Sequence, residues 1–239
     1  MANSAVRFPA HESGPAPSTI SVTSRSGRVE VNASARADIE VAGAGRAELR
    51  RDAGAQQVEV SGTHEHMVVS CPVGTDVIIG TLSGRVELSG RFGAVRVTTS
   101  SGRVAVAEAA SVDARTRSGT IRVGRCDGVV RVRSTSARVD VEAAAQLDAE
   151  TASGAITAGA IDDATVRSTC GRVALGLNGS GSVAARTVSG RVEISVPTGA
   201  CPDMTLRTVS GRIDASIESG DDGVVGVETV SGRIRVRTR

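Results

Sequence analysis

The stretch TVSGRV at residues 187–192 returns as TVSGRI at 208–213 and again at 229–234, each copy 21 residues after the last. A chain that writes one turn at a fixed interval is constrained to fold as a stack of like units. With the glycine of each SGR as origin, copies centre on Gly27, Gly84, Gly102, Gly119, Ala137, Gly154, Gly171, Gly190, Gly211 and Gly232. From Gly84 the steps are 18, 17, 18, 17, 17, 19, 21 and 21 residues.

The positions around each origin fall into columns. Two places after it every copy has Val or Ile, and four places after it every copy has Val, Leu, Ile or Ala. The residue between them varies, from Glu87 to Arg122 to Thr157. Seven and five places before the origin are aliphatic again, as in Val77 and Ile79 or Val183 and Ala185, with mostly polar residues between. Apolar, variable, apolar is the signature of a strand with one buried face. Three places before the origin every copy has Thr or Ser, inward by parity, and stacked hydroxyls are expected to bond along that column. Ser-Gly is expected to make the corner, with glycine supplying a positive φ. The expected fold is all-β: a single-chain parallel β-solenoid, or β-helix, with about 17–21 residues per coil and coils stacked about 4.8 Å apart.

Composition agrees with a narrow core. Hydrophobic residues make up 40% of the chain, yet aromatics are 1%, with two Phe and no Tyr or Trp. A broad interior uses rings to fill space; one built from Val, Ile, Leu and Ala must be thin.

The interval from Gly27 to Gly84 does not align, although ADIEV at 37–41, QVEVS at 57–61 and HMVVS at 66–70 alternate. Three segments are expected: a disordered tail over 1–18, carrying Pro9, Pro15 and Pro17; an N-terminal β-strand cap over 19–76; and the repeat solenoid over 77–239. GRAELRRDAGAQQ at 45–57 is the one short candidate for a helix.

The stretch CPVGTDVIIGTLSGRVELSGRFGAVRVTTSSGRVAV at 71–106 resembles a bacterial family of "putative adhesin" domains of unknown function, built from β-strand repeats. There a P-x-G turn leads into reiterated t-x-S-G-x-[IV] units. The resemblance spans about 19–239 and implies surface adhesion. A weaker similarity is to bactofilins, cytoplasmic β-solenoids that polymerise end to end.

Chemistry-bearing patterns are sparse. His64 and His66 share one strand face, but the third histidine, His11, lies in the tail, so no metal site is expected. The corner serines have no histidine in the solenoid to activate them, and no phosphate loop occurs, so no catalytic residue and no cofactor are assigned. The four cysteines form no CxxC pair and read as small buried or turn residues in a reducing compartment. No apolar run has the length of a signal peptide or membrane span, which leads to the expectation of a cytoplasmic protein.

What remains is surface. Arginine stands one place after the origin in eight copies, a column facing an anionic surface or glycan, unless carboxylates two residues on neutralise it. Nucleic acid is not expected, because stacking needs aromatics. The last three coils add Val188, Val209 and Val230 two places before the origin, outward by parity. With Arg186, Arg191, Arg207, Arg212 and Arg233 they form the candidate partner surface, unless loops such as PTGACPD at 197–203 fold over it. The chain closes on GRIRVRTR, expected to be an open edge whose arginines repel a like edge, so that self-association would be head-to-tail onto an acidic N-terminal block. The sequence thus reads as a non-enzymatic, adhesin-like binding or scaffold surface for a protein partner or an anionic surface. The alternatives are a self-assembling element resembling bactofilins and a glycan-active β-helix enzyme.

Overall fold

The computed structural model describes residues 6–8, 19–43, 46–52, 55–62, 66–179 and 181–238. Among them every regular element is a strand, and the pairing is mostly parallel. The chain divides into two compact units, Met1–Gly124 and Arg125–Arg239. Of the expected tail, Val6–Phe8 forms a short strand, β1, and the rest lies outside the described residues.

In the first unit, β2 (Thr19–Ser34) pairs in parallel with the start of β7 (Asp76–Leu177), placing Ile20 on Val77 and Val29 on Val86. The other side of β2 carries β5 (Ala55–Gly62) and β6 (His66–Pro72), also parallel. Val58 lies on Ile20, Val60 on Val22, Met67 on Val29 and Val69 on Val31. Strands β5 and β6 therefore form another layer of the stack with the same four inward positions, in a stretch of sequence without an SGR motif. That layer lies outside β2 although it follows β2 in sequence. Beyond it the pairing turns antiparallel: β4 (Arg46–Asp52) on β5, β3 (Ile39–Ala42) on β6, and β1 on β3. Of the helix candidate at 45–57, the described residues 46–52 and 55–57 lie in the antiparallel strands β4 and β5, with Ala47 and Leu49 in register with Val60 and Val58.

In the second unit, β8 (Ser182–Val196) pairs in parallel with the end of β7, Val183 on Ala164 and Val192 on Val173. The next strand in space is β10 (Val224–Thr238), and only then β9 (Asp203–Ala215). Thr229 lies beside both Thr187 and Thr208. The last coil is inserted under the penultimate one. GRIRVRTR is thus not the open edge: β10 is paired on both sides, and β9 is the outer strand. The pattern of arginines at 233, 235 and 237 does not face an empty edge.

In both units the four aliphatic columns line the interior. Each side chain at the −7, −5, +2 and +4 places is at most 3% exposed, except on β9. A further inward column completes the core: Phe92 and Ala109 in the first unit; Cys126, Ala144, Ile161, Leu177 and Val196 in the second. Its distance from the origin drifts from six to eight residues, so period counting misses it.

Two local expectations are corrected. Among the corner glycines only Gly27 (φ 128°) and Gly119 (φ 126°) adopt positive φ. What favours glycine at these corners, Ala137 being the exception, is the close approach of the neighbouring corner: a Cβ on Gly190 would stand 2.2 Å from the carbonyl oxygen of Gly171, and one on Gly84 2.5 Å from that of Gly27. The inward hydroxyls also do not chain along their column. Thr116 Oγ1 donates to Ser118 O at 2.7 Å and Ser24 Oγ to Ser26 O at 3.2 Å, tying each strand to its own corner. The hydroxyls of Thr99, Ser134, Ser168, Thr187, Thr208 and Thr229 are buried without a partner.

Candidate partner-binding groove

The places four and two before each corner face outward, on either side of the inward hydroxyl. In the second unit this seam opens into a groove of about 350 Å³. Its lining repeats coil by coil: Glu150 and Thr151, then Arg167, Ser168 and Thr169, then Arg186, Thr187 and Val188, and last Glu228, Thr229 and Val230. Because successive coils are stacked, the groove runs across the strands.

Its charged column runs Glu150, Arg167, Arg186, Glu228, with the two arginines side by side between the acids. Arg133 Nε lies 3.8 Å from Glu150, and Arg186 Nε lies 3.0 Å from Glu228. Arg167 makes no ion pair among the described residues. Insertion of the last coil puts Glu228 between Arg186 and Arg207, which in chain order would be neighbours of like charge. The valines supply the apolar part: Val188 is 51% exposed, Val230 50% and Val209 83%. No fold-over of the 197–203 loop hides them. Beneath them Ser168, Thr187 and Thr229 keep unpartnered hydroxyls.

Of the eight residues singled out from sequence, Arg186, Val188 and Val230 line the groove, and Val209 follows them on β9. Arg191, Arg233 and Arg212 lie side by side on the far side of the corner. Carboxylates partner this arginine column at Arg28, Arg85 and Arg191. Arg191 lies 4.0 Å from Glu193, and in the first unit Arg28 spans Glu30 at 2.6 Å and Glu87 at 2.7 Å. The Arg28 hydrogen bond holds the Glu87 carboxyl below its ordinary range and raises the guanidinium in return. Sequence reading missed Glu150, Arg167 and Glu228. The signal was present, since all three stand four places before a corner, but that column varies too much to read as a surface.

His66 Nε2 lies 3.0 Å from Glu30, and His64 lies outside the described residues. Among the described residues no cluster of three or more His, Cys, Asp or Glu has a metal-holding arrangement. None of the four cysteines forms a disulfide: Cys71 and Cys126 are buried, Cys201 half-buried and Cys170 exposed at a corner. Burial pushes the Cys71 thiol up to about 11. No helix among the described residues is long and apolar enough to cross a membrane.

The sequence profile of the family described as Toastrack DUF4097 matches residues 17–238. Among solved structures, the "putative adhesin" of Parabacteroides distasonis is 11% identical, with 99% of this chain and 96% of that one covered and a TM-score of 0.45. The "putative adhesin" of Bacteroides fragilis is 10% identical, with 98% and 96% covered and a TM-score of 0.44. A "putative cell adhesion protein" of Clostridium sporogenes is 8% identical, with all of both chains covered and a TM-score of 0.26. No curated protein matches the sequence.

Proposed function

The chain belongs to the Toastrack DUF4097 family, and we propose that it acts as a rigid, non-enzymatic binding surface, adhesin-like in using a repetitive face to hold a protein partner. The observation that carries this reading is the groove across the last coils, where exposed valines run beside a ladder of arginine and glutamate. Such a mixed apolar and charged trough suits an extended protein segment with apolar side chains spaced between charges. The stack fixes the ladder's spacing, so little ordering is needed on binding. In this reading the chain is a β-solenoid with coils of 17 to 21 residues, closed at its N-terminal end by the antiparallel strands β4, β3 and β1.

A photo-crosslinking residue at position 188, compared with one at the exposed position 157 on another face, tests it. The reading expects a discrete adduct from position 188 in extracts of the native host, lost on Arg167→Glu. Equal labelling from both positions, or none from 188, contradicts it. A second reading, self-association, is favoured by the unpaired outer side of β9.

A further inference from the structure

Among the described residues β9 has a single neighbour, β10. Its inward side chains show the consequence. Ile213 is 41% exposed and Ala215 is exposed, while Met204 and Leu206 are half-buried. The loop after β9 closes off only its start, where the Met204 N–H donates to Ser219 Oγ at 3.4 Å. From Thr205 to Ala215 the strand offers free backbone groups and the end of an aliphatic core, the arrangement that recruits another strand.

The coil is symmetrical about its own corner. Counting outward from the midpoint of Ser210 and Gly211, Val209 mirrors Arg212, Thr208 mirrors Ile213, Arg207 mirrors Asp214 and Leu206 mirrors Ala215. Inward residues mirror inward ones, and outward mirror outward. A two-fold axis through that midpoint therefore lays β9 antiparallel on a copy of itself with both interiors continuous. It also sets Arg207 opposite Asp214 of the second copy, twice.

We propose that this surface docks a second copy of the chain, β9 on β9, in a two-fold, tail-to-tail dimer. Charge selects the partner and the register. Arg207 makes no ion pair within its own chain among the described residues. Down the stack the order Arg186, Glu228, Arg207 would continue into Asp214, Arg235 and Glu193 of the second copy, alternating in sign across the axis. Sliding the register by two residues one way sets Arg207 against Arg212, and by four the same way sets Asp203 against Asp214, so these like pairs oppose the slipped forms. Such a contact closes on itself and stops at two copies. It is separate from the groove and does not depend on what the groove binds.

Light scattering on the full chain tests the dimer. The mass of two chains is expected for the wild type and that of one chain for Arg207→Asp and for Asp214→Arg, each folded by circular dichroism. The double variant Arg207→Asp/Asp214→Arg is expected to recover the dimer. With Cys170 and Cys201 changed to Ser, Ser210→Cys is expected to cross-link between copies near the axis, and Ser189→Cys, at an internal corner, is not. A wild type that stays monomeric at every concentration, a dimer indifferent to both single charge changes, or equal cross-linking at 189 and 210 would overturn the proposal.

Discussion

Arg235 Nε lies 3.3 Å from Asp214 Oδ2, reaching back to a strand that precedes it in sequence but lies outside it in the stack. On its other side Arg235 is in register with Glu193. In chain order Glu193 and Asp214 would be adjacent acids, just as Arg186 and Arg207 would be adjacent bases. Inserting the last coil between the other two converts both columns into alternating ones. The SGR motif is the same in all three coils, so it has no preference for either order; the charges do.

This ordering predicts a salt-dependent penalty for Arg235→Glu, which would set three acids in one column. Exposed pairs are each worth about 0.2–1 kcal/mol, so a loss of about 1 kcal/mol is expected in dilute buffer. It should shrink in roughly 1 M salt, where the Debye length falls to about 3 Å. Thermal melting at both ionic strengths measures it.

Close stacking at the corners predicts that Gly190→Ala destabilises the chain by about 1–3 kcal/mol, the range for overpacking against backbone that cannot move freely. Gly80, on β7, has nothing within 4 Å of an added Cβ. Gly80→Ala should stay within about 0.5 kcal/mol of the parent, as surface substitutions do. Denaturant unfolding of the two variants makes the comparison.

The hydroxyl column predicts opposite responses to one chemical change. Thr116 donates a hydrogen bond to its corner, so Thr116→Val should cost about 0.5–1.5 kcal/mol. Thr187 is buried with an unpartnered hydroxyl, so Thr187→Val should be neutral or stabilising. Equal losses at both positions would show that the corner bond does not matter.

Acid should loosen the first unit. The Arg28 hydrogen bond depresses Glu87, and hydrogen bonds from Arg36 depress Asp38 and Glu40. A carboxyl whose folded pKa lies below its unfolded one contributes stability that is complete above the unfolded value and is lost as pH falls through the folded value. Hydrogen exchange in β2 and β3 should therefore accelerate below roughly pH 4, the ordinary carboxylate range, after correction for intrinsic rates. Arg28→Gln should flatten that dependence in β2.

The aliphatic columns and the corners were legible because each recurs at a constant distance from a glycine, and a constant distance is what period counting detects. Val86, Leu88, Val95 and Val97 are buried for the reason the alternation implied. The layer of β5 and β6 was hidden because Met67 and Val69 follow no SGR, although their spacing from Val58 and Val60 equals that of Val29 and Val31 from Ile20 and Val22. The inward column from Phe92 to Val196 was hidden by its drifting offset. The position of β10 could not be read from near-identical motifs. It was written in Glu228 and Arg235, whose signs are opposite to those of their equivalents on β8 and β9. The groove was half legible: its valines repeat, but its charges make sense only once the spatial order of the coils is known.

The account rests most directly on that order. With Cys170 and Cys201 replaced by Ser, the pair Arg186→Cys/Glu228→Cys sits on adjacent strands about 4.8 Å apart, within disulfide range, and Arg186→Cys/Arg207→Cys sits two strands apart, beyond the roughly 7 Å limit. Oxidation should close the 186–228 bridge within one chain and leave 186–207 open. A chain that closes 186–207 and leaves 186–228 open would be stacked in sequence order, and both the alternating ladder and the outer strand β9 would be contradicted.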